Sequence, residues 1–348
     1  MSPQLKQISS ARLLNGLSEA HSNEKNNNIV TRVIKSNRLL SDQENNEVGE
    51  GVYEGQPNSE MLVVRDKNGK PVDKNKLKNN IKIIFTDLDG TLLNDDHKAS
   101  KLNIESLAKA QNKGIKIVIA TGRPIFSAND VIGEDIKKNN LSLIPGIYQN
   151  GCITYGPNGD KIIDNYIDDK LIMDIYNFSK ENNFVDRMVW YSLEKTHVFG
   201  MNEYINEYMI LEPIMPDIID EEKLKNTKIY KILICLNEQN LSSILKIYQD
   251  NFLDRICVAN TFKSYVELFH HNTNKFEGVK ALCKHFGISL NDALAIGDAD
   301  NDIEMLRGVG TSISVQNAAN KVKKCAKYVG PSNNNDALYH TLRTFCDI

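Results

Sequence analysis

The stretch IKIIFTDLDGTLLNDD, residues 81–96, decides how the rest of the chain is read. Ile81, Ile83, Ile84 and Phe85 form an apolar run of the kind covered on both faces in a parallel sheet. It runs straight into Asp87 and Asp89, with Gly90 and Thr91 around them. In open α/β sheets, ligands bind at the carboxyl ends of the strands. Two carboxylates at such an end repel each other unless a cation or a shared proton intervenes. On an extended strand end, residues two apart point the same way. The pair is therefore expected to bind a metal, to carry chemistry, or to do both.

Outward from this strand the pattern alternates. LNIESLAKAQNKG reads as an amphipathic helix ending at Gly114, IKIVIA as a second apolar strand, and PIFSANDVIGEDI as a helix with Pro124 in its first turn. IPGIYQNG follows as a short strand and turn, and YGPNGDK as a hairpin turn with Asn158-Gly159 at its tip. Alternation of this kind predicts a parallel sheet flanked by helices. From about residue 165 to 270 the pattern changes to neighbouring strands with short turns, VDRMVWY, THVFG, KIYKILICL, ICVAN and YVELFHH, which predicts an antiparallel sheet with helices on one side. The helix–strand alternation then resumes with EGVKALCKHFG, ALAIG, NDIEMLRG and TSISV. The expected organisation is a discontinuous α/β domain, residues 80–164 and 271–348, with an α+β domain inserted at 165–270.

Residues 1–79 differ in composition. SNEKNNN and SDQENNEVGEG offer little apolar surface, so this extension is expected to be largely disordered, with a hairpin at MLVVRDKNGKPV turning at Asn68-Gly69. RLLSD at 38–42 resembles an export signal of intracellular parasites, but no hydrophobic segment precedes it. The whole chain has 348 residues, 41% hydrophobic and 25% charged, enough to bury a sizeable core. A net charge of −3 argues against a basic nucleic-acid footprint. No run approaches the roughly 20 apolar residues of a membrane span, and the N-terminus lacks the apolar core of a secretory signal. Six scattered cysteines without a C-x-x-C pair suit a reducing, cytoplasmic setting and indicate no zinc site.

Four polar clusters stand at or beside the ends of the predicted strands of the α/β domain: Asp87-Leu88-Asp89-Gly90-Thr91, Thr121-Gly122-Arg123, Lys275, and GDADND with Asp298, Asp300, Asn301 and Asp302. Singly each has an ordinary explanation in turn chemistry or solvated surface, and GDADND lacks the glycine and distal glutamate of an EF-hand loop. Parallel strands, however, deliver all of these ends to one edge. There, Asp87 and Asp298 offer hard oxygen ligands to an octahedral Mg2+, which retains waters and meets phosphate oxygens. The Thr121 hydroxyl, backbone N–H groups and the Lys275 ammonium suit the remaining phosphate oxygens. One carboxylate can attack phosphorus and form an acyl phosphate, while a second protonates the leaving alkoxide and then deprotonates water. The Asp87–Asp89 pair is read as nucleophile and proton shuttle.

The ordered set DLDGT, ATGR, Asn274-Lys275 and GDADND resembles the haloacid dehalogenase (HAD) superfamily of phosphotransferases, over about residues 81–348. The likeness is greatest to the Cof-like branch, whose insert lies between the second and third motifs. QNG at 149–151, NKFEGVKALCKHFGI at 274–288 and QNAANKVKKCAKYV at 316–329 are similar local signatures. The resemblance implies a Rossmann-like parallel-sheet core with a large inserted α+β cap. It makes Asp87 the nucleophile and Asp89 the general acid/base, with Thr121, Gly122 and Lys275 around the phosphoryl group. It implies Mg2+ held by Asp87, the backbone carbonyl of Asp89, Asp298 and Asp302, with Asn150, Gly151 and Asn301 supporting the site. Phe276 departs from the glycine common after that lysine in the branch, which bears on the pocket wall. Asp300 sits at a variable position. The second aspartate separates this chain from the family's dehalogenases, and the absence of membrane helices from P-type pumps.

The implied activity is hydrolysis of a small phosphorylated metabolite, a sugar phosphate or a relative of one, through an aspartyl phosphate. A phosphomutase of the phosphomannomutase type and a non-catalytic binding module are the alternatives, and oligomeric state is left open. In the insert, Arg187, Trp190, Tyr191 and His197 are candidates for ligand contact, although packing is the commoner role of such residues on a sheet.

Overall fold

The computed structural model describes residues 62–77, 80–261, 264–271 and 273–348. The low-complexity runs and RLLSD at 38–42 lie outside the described residues.

The described chain opens on the hairpin expected at Asn68-Gly69. Asp66 Oδ1 accepts from the backbone N–H groups of Asn68 and Lys70 at 2.8 and 2.9 Å, which closes the turn. The strand β1 (Arg65–Asp66) is not detached from the fold: Val64 is buried, and Val72 and Leu77 pack against the same core. The part of the extension from 62 to 77 is thus an edge of the α/β sheet. Its few apolar residues find a surface already built by the rest of the chain, which composition alone does not reveal.

The chain continues through β2 (Ile83–Thr86), helix α1 (Lys101–Asn112), β3 (Lys116–Ala120), α2 (Ile125–Lys138) and β4 (Gly146–Tyr148). Ser100 caps α1 by accepting from the Asn103 N–H at 3.1 Å. Pro124 sits at the N-cap of α2, one place earlier than expected. A hairpin, β5 (Ile153–Tyr155) and β6 (Lys161–Asp164), turns at Asn158-Gly159. Then come α3 (Asp169–Glu181), β7 (Met188–Tyr191), β8 (Thr196–Val198), α4 (Glu203–Leu211), β9 (Asp217–Ile218) and α5 (Glu221–Lys225). They are followed by β10 (Lys231–Cys235), α6 (Leu241–Phe252), β11 (Cys257–Thr261) and β12 (Tyr265–Phe269). The last part comprises α7 (Lys275–Phe286), β13 (Ala293–Gly297), α8 (Ile303–Gly308), β14 (Thr311–Val315), α9 (Asn320–Lys323), β15 (Tyr328–Gly330) and α10 (Ala337–Phe345).

Nine strands form one sheet in the order β1-β15-β14-β13-β2-β3-β4-β5-β6, parallel from β15 to β4 and antiparallel at its two flanks. Its central strands are apolar on both faces, as helices cover both. In register, Thr86 lies between Ile296 and Ile119, so β13, β2 and β3 end side by side. The residues that follow, Asp298, Asp87 and Thr121, leave the sheet at one edge.

The second sheet has six strands in the order β11-β12-β10-β7-β8-β9, all between Met188 and Phe269. One face, with Met188, Trp190, Ile232 and Ile234, packs under α3 and α6. The other, with Val189, Tyr191, Leu233 and Cys235, meets Ile205 and Tyr208 of α4. The expected purely antiparallel sheet with helices on one side is corrected on both points. β8 and β9 pair in parallel, because α4 crosses between them, and that helix covers part of the opposite face.

Among the described residues no helix is long and apolar enough to cross a membrane. All six cysteines are free thiols.

Candidate active site

Asp87 ends β2, its N–H bonded to the Ile296 carbonyl of β13 at 3.0 Å. Lys275 opens α7 behind the cap residue Asn274, whose Oδ1 accepts from the Glu277 N–H at 3.0 Å. The lysine is fully buried, unlike the solvated lysine its position alone suggests. Its Nζ donates to Asp87 Oδ1 at 2.6 Å and to Asp302 Oδ1 at 2.7 Å. The other oxygen of Asp302 accepts from the backbone N–H groups of Asp298 and Ala299 at 3.0 and 3.1 Å, pinning the loop after β13. Asp298 Oδ1 accepts from the Thr91 hydroxyl at 2.8 Å.

Oxygens of Asp87, Asp298 and Asp302 all lie within 4.8 Å of one another. Three carboxylates face one ammonium, so the group holds excess negative charge. Burial, together with the charges of Asp302, Asp298 and Asp89, pushes the Asp87 carboxyl well above its ordinary range, against the pull of Lys275. Burial and then Asp302 raise Asp298 to about 6. A divalent cation offsets such strain, and hard carboxylate oxygens are the donors it prefers. The residues present fit a divalent metal.

Asp89 is placed differently from the expected pair. After Asp87 the chain is not extended but turns, with Gly90 at φ +74° and the Leu93 N–H closing onto the Leu88 carbonyl at 2.8 Å. The Asp89 carboxylate takes both arms of Arg123, Nε to Oδ2 and Nη2 to Oδ1, each at 2.8 Å. His97 Nδ1 stands 3.7 Å from Oδ1. Burial works against the charge, yet His97 and Arg123 hold this carboxyl well below its ordinary range. The Asp89 carboxylate is thus bonded to Arg123 and not to Lys275, while its charge still adds to those that raise Asp87.

Gly90 explains the turn. A Cβ there would lie 2.5 Å from Asp298 Oδ2, at a φ that side chains other than glycine avoid. Gly90→Ala is expected to cost about 1–2 kcal/mol from backbone conformation alone, lowering the melting temperature by a few degrees. It should also displace Asp298, which a weakened affinity for a divalent cation, measured by titration calorimetry, would report.

The second and third strand ends brace each other. Thr121 is buried, and its hydroxyl accepts from the Arg123 N–H at 3.1 Å. The Asn150 N–H donates to the Thr121 carbonyl at 3.1 Å, and the Gln149 N–H to the Arg123 carbonyl at 3.0 Å. Gln149, Asn150 and Gly151 all have positive φ, of 49°, 59° and 98°, a strained path that recurs at functional loops. Gly122 packs against the Asn150 side chain, and Asn301 Nδ2 donates to Asn150 Oδ1 at 2.9 Å. Gly151 backs onto the Asn274 carbonyl, 2.3 Å from where a Cβ would stand, so the QNG turn seats the start of the Lys275 helix.

Four residues escaped the sequence reading. Thr91 and Arg123 stood inside the motifs without a role, whereas His97 and Lys231 carried no local signal. Of the insert candidates, Trp190 is buried on the helix-covered face, Arg187 lies over the Tyr204 ring at 4.3 Å, and His197 bonds Ser192 Oγ at 3.0 Å. Tyr191 lies on the opposite face, its hydroxyl on Glu212 and its ring under the Lys231 ammonium at 4.3 Å. Phe276 lies against Gly308 of α8 and packs with the core, which places its ring on the helix–helix contact. Asp300 pairs with Lys321 on the surface.

The family model for haloacid dehalogenase-like hydrolases matches residues 84–342, and the chain belongs to that family. A solved HAD/COF-like hydrolase of Plasmodium vivax, provisionally named, is 29% identical, with a TM-score of 0.71 over 78% of this chain and 97% of its own. A Streptococcus pyogenes protein provisionally named a phosphatase is 27% identical over 76% of this chain and 97% of its own length. A solved HAD subclass IIB sugar phosphatase, 23% identical with a TM-score of 0.65 over 77% of this chain and all of its own, shares the fold.

Proposed function

We propose that this chain is a Mg2+-dependent phosphatase of small phosphomonoesters, sugar phosphates or related metabolites, working through an aspartyl phosphate on a core with the inserted domain as its cap. The observation that carries the reading is the buried Lys275 ammonium, bonded to both Asp87 and Asp302 beside Asp298. Such an array suits a divalent cation, and through it a phosphoryl group, better than a structural ion pair, because three carboxylates around one ammonium leave negative charge that a cation offsets.

An oxygen of Asp87 attacks phosphorus, the bond to the leaving oxygen breaks, and Asp89 gives that oxygen a proton. Water then attacks the aspartyl phosphate, Asp89 takes its proton, and inorganic phosphate leaves as Asp87 is restored. Lys275 holds the attacking carboxylate in place, and with Thr121 and Gly122 it meets the phosphoryl oxygens. Asp87, the carbonyl of Asp89, Asp298 and Asp302 would hold Mg2+, which offsets charge on the phosphoryl oxygens. Asn150, Gly151 and Asn301 keep the loops in register. While paired with Arg123, Asp89 is an anion and cannot donate. The arriving phosphoryl dianion competes for Arg123, and that exchange frees Asp89 to be protonated.

Release of phosphate from a panel of phosphomonoesters, with and without Mg2+, tests the reading. No release from any ester by a folded, Mg2+-binding protein would sink it. Phosphoryl transfer between sugar positions in place of release would make the chain a mutase. Asp89→Asn is expected to slow sugar phosphate hydrolysis by roughly 100-fold. The loss should be smaller with p-nitrophenyl phosphate, whose leaving group departs without a proton, and equal losses on both would remove Asp89 from the acid role.

A further inference from the structure

The face of the second sheet that carries Tyr191 touches the loops of the first. Lys231, at the start of β10, donates from Nζ to the Gly122 carbonyl at 3.4 Å and pairs with Glu267 at 3.0 Å. Gln149 Nε2 donates to the Ser192 carbonyl at 3.3 Å. Glu212, just past α4, belongs to the same corner. Its Oε2 accepts from the hydroxyls of Tyr191 and Tyr208, both buried, at 2.8 Å each.

The other oxygen, Glu212 Oε1, is shielded from solvent and has no hydrogen-bond partner. Gln149 Oε1, on a side chain only 1% exposed, is in the same condition. Glu212 is near enough to favour the charged forms of Arg123 and Lys231 against their burial. Arg123 is also the partner of Asp89 and feels the charge of Asp87, so one guanidinium lies within the field of Glu212 and of both aspartates of the site.

A buried acceptor without a donor is costly to keep. Both unmet atoms are acceptors, so a ligand that completes them must donate, as hydroxyl groups do. A carboxylate on the ligand would instead face the Glu212 charge where little water screens it.

We propose that Glu212 is a specificity-determining residue, accepting from the leaving group and selecting esters of neutral polyols over esters whose leaving group carries a carboxylate. This rests on the phosphatase reading above.

Sorbitol 6-phosphate and 6-phosphogluconate make a matched pair, differing only in CH2OH against COO− at the far carbon. The full chain is first assayed with Mg2+ and p-nitrophenyl phosphate. Turnover there supports the phosphatase reading by itself, and its absence overturns both that reading and this one. With turnover established, kcat/KM is expected to favour sorbitol 6-phosphate by about tenfold or more. Glu212→Gln removes the charge and exchanges one of the two acceptor oxygens for an NH2 donor, and should narrow that ratio by about tenfold, which a merely structural role, lowering both esters alike, would not do. Melting curves check folding, and Glu212→Asp takes the place of the glutamine variant if that one does not fold. Equal handling of the two esters by the wild type, turnover of neither, or an unchanged ratio in a folded variant overturns the proposal.

Discussion

Asp87→Asn is expected to lower phosphate release by about 10⁴-fold or more while leaving the fold in place. The substitution is nearly isosteric, and the amide oxygen still accepts from Lys275, whose Nζ lies 2.6 Å from Asp87 Oδ1 and 2.7 Å from Asp302 Oδ1 in the native site. The buried ammonium therefore keeps both partners, and its melting curve should stay close to that of the wild type. What is lost is the anionic oxygen. An amide does not displace the leaving group from phosphorus, and the other two carboxylates of the group are engaged elsewhere: Asp302 is pinned by the N–H groups of Asp298 and Ala299, and Asp298 accepts from the Thr91 hydroxyl. Acid quenching during turnover should trap phosphate on the wild-type protein and none on the variant. A variant that keeps even a hundredth of wild-type turnover would remove Asp87 from the nucleophile's place.

The parts of this arrangement that sequence shows are those tied to a strand end. The apolar runs at Ile83–Phe85, Ile117–Ala120 and Ala293–Ile296 identify parallel strands, and parallel strands put Asp87, Thr121 and Asp298 on one edge whatever the helices do. Lys275 is legible for a related reason, because Asn274 caps the helix it opens. Direction within a turn is not legible in the same way. An i, i+2 pair points one way only if the chain stays extended, and here the segment Leu88–Leu92 coils directly after Asp87, with the Asp89 carboxylate on Arg123. Contacts across the chain are harder still. Lys231 reaches the Gly122 carbonyl, and Gln149 the Ser192 carbonyl, only through the docking of one sheet on another, which no local periodicity encodes. The hairpin at 65–72 was legible from Asn68-Gly69, but its docking was not: its own composition is too polar to fold alone, and the surface that orders it is supplied by β15, some 260 residues later.

Lys275→Met is expected to be the most destabilising single change in the site. Methionine fills a similar volume but leaves Asp87 and Asp302 buried and facing each other without the ammonium between them. Breaking a buried ion pair by removing one partner costs roughly 3–5 kcal/mol, so metal-free protein should melt about 10 °C lower. The deficit should depend on pH with a definite sign. Asp87 and Asp298 already have folded-state pKa values raised by burial and by neighbouring carboxylates, Asp298 to about 6 from 3.8, and Lys275 lowers both. Without it they rise further. A group whose folded pKa exceeds its unfolded value favours the fold most when protonated in both states and loses that contribution as pH rises through the folded pKa. The gap between variant and wild type, measured by thermal melts in a chelator, is therefore expected to be small near pH 5 and large near pH 8. A divalent cation that binds the carboxylates should recover much of the lost stability at the higher pH, by mass action on the folded state, without restoring turnover. A deficit that does not change with pH would mean that Lys275 contributes packing, and the charge argument for the site would fail with it.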